Sequence, residues 1–359
     1  FAALATYILP AGIVDRLLGL TKIKHDDILS IIFTSGSTGE PKGVMLSQAN
    51  VGANVAAVDQ IINFTNSDCL MGVLPFFHSF GYTVCLWLPM CFDAKVVYHF
   101  NPLDAKTIGE LAEKQGMSIL LATPTFLRMY LKRCTKEQFH KLDLVVVGAE
   151  KLPLEVAEQF QEKFGVFPSE GYGTTELSPV ACCNIPDHRG QSDVQIGTKP
   201  GTVGRPIPGV SAKVVDPDSW EELGVDTEGM VLISGANVMT GYLNQPEKTA
   251  EVIRDGWYVT GDLGKIDADG FVTITGRMSR FSKIGGEMVP HLRIEEELAK
   301  IIEAAGEPDD GELKLAVTAV PDKNKGERLI VLHRALTQPV DEVAKALQSS
   351  GLPNLWLPS

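Results

Sequence analysis

The chain lacks a long apolar run. No stretch of about 18 hydrophobic residues occurs in its 359, so no membrane-spanning helix is expected. It also lacks positive charge: 32 Lys and Arg against 45 Asp and Glu give a formal net charge of -13. Phosphate backbones and anionic lipid surfaces reward the opposite sign, which argues against a nucleic-acid binder and a purely electrostatic lipid binder. Cysteines are few and scattered. Of six, only Cys182 and Cys183 adjoin, and no C-x-x-C or H-x-x-x-H spacing occurs. That excludes a disulfide framework and a structural zinc site, and a reducing, cytoplasmic setting is expected. The opening Phe1–Ile8 has no basic region, as a secretory signal would; its abruptness reads as an internal cut. No internal repeat or low-complexity tract is present. What remains, 44% hydrophobic and 21% charged residues, describes a globular chain long enough for a large core and more than one domain.

Apolar runs bounded by turn residues predict strands at Ile28–Phe33, Cys69–Leu74, Lys95–Tyr98, Ile119–Ala122, Leu144–Val147 and Phe167–Tyr172. Several are apolar throughout, as strands covered on both faces must be. Helices are predicted between them, at Gln48–Gln60, Leu103–Gln115, Pro124–Lys132 and Pro153–Phe164. The alternation predicts an α/β fold with a doubly wound, mostly parallel sheet over residues 1–180. Residues 181–276 turn rich in Gly, Pro and Asp with short alternating runs (Ala212–Val215, Gly229–Ser234, Gly270–Ile274). They predict a β-rich subdomain with Asp267–Gly270 as a hairpin turn. Residues 277–359 predict a small, mobile, incomplete α+β module: helices Leu292–Ala305 and Val340–Ser349, strands Lys314–Val320 and Leu329–Leu332.

The most informative segment is Thr34-Ser35-Gly36-Ser37-Thr38-Gly39-Glu40-Pro41-Lys42-Gly43. Glycines let phosphate oxygens approach the backbone, hydroxyls and N–H groups can turn onto an anion, and Lys42 adds a point charge. The segment reads as a polyphosphate clamp, but it is not the P-loop G-x-x-x-x-G-K-[ST]. Gly36 and Gly39 stand too close, Pro41 precedes Lys42, and Gly43 replaces the metal-binding hydroxyl. Two further clusters follow. Gly171-Tyr172-Gly173-Thr174-Thr175-Glu176 offers an aromatic face, hydroxyls and a carboxylate, which suit a base, a phosphate and Mg²⁺. Tyr258-Val259-Thr260-Gly261-Asp262 sets a carboxylate on a glycine turn, and Gly276-Arg277 supplies a guanidinium.

In this order, with Gly229–Gly235 and Gly276–Gly286, these stretches resemble the acyl-adenylate-forming superfamily over nearly the whole chain. A narrower resemblance, to the ligase half of bacterial bifunctional acyl-ACP synthetase/2-acylglycerophosphoethanolamine acyltransferases, rests on three stretches: Leu74–Gly81, Asn237–Leu243 and Arg280–Val289.

The superfamily resemblance implies that a carboxylic acid and ATP give an acyl-AMP and pyrophosphate, after which a thiol takes the acyl group. It implies that Thr34, Ser35, Gly36, Ser37, Thr38, Gly39 and Lys42 hold the β- and γ-phosphates. Tyr172 would stack on adenine, with Gly148, Ala149 and Glu150 on the other side and Gly171, Gly173 and Thr174 beside it. Thr175 would meet the α-phosphate, Glu176 Mg²⁺, and Asp262 the ribose hydroxyls with Arg277 nearby. His78 would lie near the substrate carboxylate, and Gly286, with Lys283 close by, at the channel for coenzyme A or phosphopantetheine. The implied partners are a fatty acid and acyl carrier protein, with coenzyme A as the alternative. A non-catalytic adenylate-binding fragment is a further alternative.

Acyl carrier protein is itself acidic, so docking on this acidic chain needs a local basic patch; Lys283, Arg293 and Lys314 are the candidates. The narrower resemblance also implies peripheral contact with the cytoplasmic face of the inner membrane, through an acyltransferase domain not present in these residues. Two departures stand out. Ser279 occupies the hinge position where Asp or Lys is usual, and no late P-x-x-x-x-G-K pattern carries an adenylation lysine. Trp87, Met90 and Phe92 read as core, Cys182-Cys183 as inert, and Glu295-Glu296-Glu297 as a solvated helix start.

Overall fold

The computed structural model describes residues 9–35, 41–92, 94–190, 196–284, 287–307, 314–322 and 326–358. Its centre is a seven-stranded sheet. Five strands run parallel, in the order Lys95–Tyr98, Cys69–Gly72, Ile119–Ala122, Leu144–Val147, Ser169–Gly173. Two antiparallel strands, Val180–Cys183 and Arg205–Pro206, extend it. The sheet therefore continues past residue 180, where the sequence suggested a boundary.

Alternate side chains of the parallel strands feed two cores, which is why the strands read as unbroken apolar runs. On one face Leu120, Ala122, Val145 and Val147 meet the helices Ala105–Gln115, Pro124–Arg133 and Leu154–Phe164 through Ile108, Leu127, Tyr130 and Phe160. On the other, Leu70, Ile119, Leu121 and Leu144 meet the helix Gln48–Asp59 through Val51, Val55 and Val58. That helix is fixed at its start by a reciprocal cap: Ser47 accepts from the Asn50 backbone N–H, and Asn50 Oδ1 accepts from the Ser47 N–H.

Around this sheet stand a hairpin, Ile28–Ser35 with Pro41–Ser47, joined by Gly241–Tyr242, and a five-stranded antiparallel sheet built on Trp257–Ile266. The C-terminal module has its own core, where Ile294 and Leu298 of the helix His291–Ala304 meet Val317, Leu329, Val343 and Leu347. The expected turn Asp267–Gly270 links Trp257–Ile266 to Val272–Arg277, with Asp267 Oδ1 accepting from the N–H groups of Asp269 and Phe271.

Three expectations change. Glu295–Glu297 is not simply solvated: Glu295 pairs with Arg280 and accepts from the Val317 N–H, and Glu296 pairs with Lys151 of the large sheet's surroundings. Glu297 pairs locally, with Lys300 one turn on. Met90 is 63% exposed rather than core. Tyr258–Asp262 is not a free turn but the middle of a ten-residue strand, bulged at Gly261.

Candidate active site

Two irregularities aim the polar side chains. In the strand Trp257–Ile266, Met230 pairs with Leu263 but Leu232 pairs with Val259, so Thr260–Asp262 bulges opposite Val231. Gly261 takes φ +72°, a value glycine adopts without strain. Thr260 stitches the bulge by donating to the Val231 carbonyl and accepting from the Asp262 N–H. Asp262 is thereby turned inward, where only 6% of it remains exposed. The second irregularity follows Leu74–Ser79, where Gly81–Trp87 winds as a π-helix, a form frequent at functional sites. A Cβ on Gly81 would collide with the Pro75 carbonyl, so glycine lets the π-helix pack directly on the segment that carries His78 and Ser79.

Between these elements lies a cavity of about 620 Å³. Its polar end is lined by Thr34, Lys42, His78, Ser79, Gly148, Ala149, Gly171–Glu176, Tyr242, Thr260 and Arg277. Thr34 and Lys42 face each other across the hairpin. Tyr172 donates to Asp262 Oδ2 at 2.6 Å, and Arg277 Nε lies 3.0 Å from Oδ1. Burial raises the Asp262 pKa above the usual carboxylate value, and the tyrosine and arginine oppose this without cancelling it. Burial also pushes the Tyr172 phenol well above its ordinary value, so it stays a donor. Tyr242 donates to Glu176 Oε1 at 2.8 Å, and the Lys42 ammonium stands 5.0 Å from the Tyr242 ring centre. Ser79 and Thr175 share a buried hydroxyl contact of 3.1 Å. The Thr174 hydroxyl is buried at the cavity beside the Tyr258 phenol. His78 is exposed at the cavity wall, and partial desolvation lowers its pKa.

Not every predicted residue joins this cluster. Glu150 does not line the cavity; its carboxylate accepts from the Thr125 hydroxyl on the outer surface. Asp262 sits behind the wall, reached through Tyr172 and Arg277. Lys283 lies in the strand Phe281–Ile284 opposite Met288. Gly36, Ser37, Thr38, Gly39 and Gly286 lie outside the described residues, as does the side chain of Ser35. Cys183 touches the cavity, but burial pushes its thiol up to about 12, which removes it as a neutral-pH nucleophile.

The other end of the cavity is apolar: Val58, Ile61, Ile62, Phe64, Leu70, Val84, Leu88, Ile119, Leu121, Leu144 and Val146. The sequence reading missed this arm entirely, because such residues look identical to core until the gap between them is seen. It also missed Ser79 and Tyr242, although both stand inside stretches that carried the resemblance.

Glu176 is the carboxylate available to a metal. Among the described residues no group of three His, Cys, Asp or Glu could hold one. This donor set fits Mg²⁺, which takes one or two carboxylates and completes its shell with phosphates and water. The buried Thr174 hydroxyl, which lines the same cavity, is a donor suited to an anionic oxygen.

A family model described as AMP-binding enzyme matches residues 14–243. The chain belongs to the AMP-binding enzymes. Its relatives in this family include a long-chain-fatty-acid–CoA ligase of Bacillus subtilis (strain 168), 31% identical over 91% of this chain and 57% of that protein. A probable 4-coumarate–CoA ligase of Dictyostelium discoideum is 35% identical over 75% of this chain and 48% of that protein. ATP-bound MatB from Rhodopseudomonas palustris shares the fold with a TM-score of 0.78 at 31% identity, covering 94% of this chain and 64% of MatB. The chain thus spans between about half and two thirds of the relatives it matches. No helix among the described residues is long and apolar enough to cross a membrane.

Proposed function

We propose that this chain carries the adenylation site of an ATP-dependent fatty acid–thiol ligase. The observation that supports it best is one cavity with two chemically opposite ends. At one end cationic, hydroxyl and aromatic groups suit a nucleotide triphosphate; at the other, eleven apolar side chains suit a hydrocarbon. Among the described residues no charged one lines that arm, so a second carboxylate or an ammonium on the acid would be buried unpaired.

In this reading the acid's carboxylate, already ionised at neutral pH, lies between His78 and Thr175 and attacks the α-phosphorus. Pyrophosphate leaves toward Lys42 and Thr34. The chain's contribution is alignment and charge neutralisation rather than proton transfer. Glu176 would hold Mg²⁺, which when bound would further neutralise the phosphate oxygens. Tyr172 faces the base, and Arg277, held from behind by Asp262, faces the sugar. The thiol then attacks the acyl carbon and AMP leaves. The relatives' names support coenzyme A as acceptor, and the charge of -13 opposes an acidic docking partner such as acyl carrier protein. An acyltransferase partner and membrane association rest on the narrower resemblance alone.

The test is ATP–pyrophosphate exchange by the full-length protein with fatty, aromatic and short dicarboxylic acids, followed by mass spectrometry of the thioester formed with coenzyme A and acyl carrier protein together. Exchange dependent on fatty acids and a CoA thioester is expected. Exchange with dicarboxylic acids alone would overturn the substrate reading, and acyl carrier protein as sole product the acceptor.

A further inference from the structure

The apolar arm runs down the sheet from the carboxyl ends of its strands, at Val147 and Gly148, to their first residues, Ile119 and Leu144, with Leu70 beside them. Three residues of strand at about 3.3 Å each make that descent roughly 10 Å. At the bottom the floor comes from Ile62 and Phe64, just past the helix Gln48–Asp59. Phe64 stacks on Phe92 with ring centres 5.5 Å apart and 14° between planes. Phe92 does not line the cavity; it backs Phe64.

Directly beyond lies a second cavity of about 520 Å³ with the opposite character, lined by Asn63, Thr65, Asp68, Ser118, Asp143 and Arg189 among others. Its residues alternate along the chain with those of the floor: 63 and 65 flank Phe64, 118 precedes Ile119, 143 precedes Leu144. Phe64 therefore separates hydrocarbon space on one side from an open polar depression, built on the buried Asp68–Arg189 pair, on the other. Arg189 bonds both oxygens of Asp68 at 2.8 Å and also pairs with Asp143. Arg189 donates to the Asn63 carbonyl and its own carbonyl accepts from the Asn63 N–H. Asp68 accepts from the N–H and hydroxyl of Thr65. The residues on both sides of Phe64 are thus tied to one ion network, so the backbone that carries Phe64 cannot shift without breaking it, and the ring is held by its stack on Phe92.

We infer that Phe64, backed by Phe92 and pinned through Asn63 and Thr65, sets the longest straight acyl chain the site accepts, an inference that rests on the fatty-acid reading above. A methyl end that fits above Phe64 is buried in apolar surroundings. One carbon more must displace a stacked ring or enter a charged pocket. Each methylene in such a pocket changes discrimination about 10–200-fold, so the cutoff is sharp.

The experiment is displacement of a fluorescent fatty-acid probe by straight-chain acids of increasing length, with the wild type, Phe64→Leu, Phe64→Trp and Phe92→Leu. ATP affinity and melting temperature serve as folding controls. Phe64→Leu and Phe92→Leu should improve binding of the first acid beyond the wild-type cutoff by about tenfold or more, and Phe64→Trp should move the cutoff to shorter acids. An unmoved cutoff in variants that keep ATP affinity overturns the role of Phe64. A wild type that binds ATP but no fatty acid overturns the substrate reading instead. If the leucine variants unfold, Phe64→Trp alone decides by the direction of its shift.

Discussion

Asp262→Asn separates what Asp262 does for the fold from what it does for a ligand. The carboxylate is buried, bonded by Tyr172 and paired with Arg277. In the variant Tyr172 can still donate to the amide oxygen. Arg277, whose side chain is 57% exposed, swings into water at little cost, since such half-exposed pairs contribute about 0–1 kcal/mol. The raised pKa of Asp262 means that burial opposes the charge more than both partners favour it. Removing the charge should therefore leave stability at neutral pH unchanged or higher. The sign with pH follows. A folded pKa above the unfolded one makes the native state bind the extra proton, so Asp262's contribution to wild-type stability improves as pH falls through its folded pKa. Asp262→Asn loses that portion of the pH dependence. Binding should move the other way: hydrogen bonds to a charged acceptor contribute about 1.5–3 kcal/mol. Loss of the one that sets Arg277 in the cavity wall should weaken ATP by up to roughly 10–150-fold. Chemical denaturation between pH 4 and 8 reads the first effect and isothermal titration calorimetry with ATP the second. A variant that melts far below wild type at neutral pH, or binds ATP equally well, refutes this reasoning.

Tyr242→Phe leaves Glu176 Oε1 without its donor. About 1 kcal/mol should appear as a roughly fivefold higher Mg²⁺ requirement for ATP binding, with fatty-acid affinity unchanged; equal Mg²⁺ titrations would remove the pairing's role. Arg189→Ala strands the 2%-exposed Asp68 and should cost about 3–5 kcal/mol in urea unfolding. Asp68→Ala made on top of it should recover part of the loss. Burial pushes Asp68 up, but Arg189, Ser118 and the Thr65 backbone more than offset it and hold the carboxyl well below the usual range. Its stabilisation is full at neutral pH and fades as pH falls through the carboxylate range, which an acid-unfolding comparison with Asp68→Asn checks. Glu176→Gln should abolish Mg²⁺-dependent tightening of ATP while metal-free binding persists; an unchanged Mg²⁺ response would move the metal site elsewhere.

The strands Lys95–Tyr98, Ile119–Ala122 and Leu144–Val147 could be read to the residue, because each is a short apolar run between turn residues. The polar clusters around Tyr172, Glu176 and Arg277 were equally legible, since glycine and hydroxyl residues packed that densely have few structural uses. Glu150 misled for a related reason. It adjoins Gly148 and Ala149 in sequence, yet Ala149 has φ +69° and the chain turns Glu150 outward to Thr125.

Other features had no local signal. Asp262 faces inward only because a bulge resets the strand's alternation, and that depends on pairing with Met230 and Leu232. The apolar arm gathers side chains from a helix end, three strands and a π-helical turn, and hydrophobicity alone does not distinguish a packed side chain from one beside a void. The sequence by itself determined which polar groups this protein brings to the cavity, because those residue types stand out in short motifs. Only the tertiary structure decided the apolar room beside them, because volume is a property of the spaces between elements and no residue carries it alone.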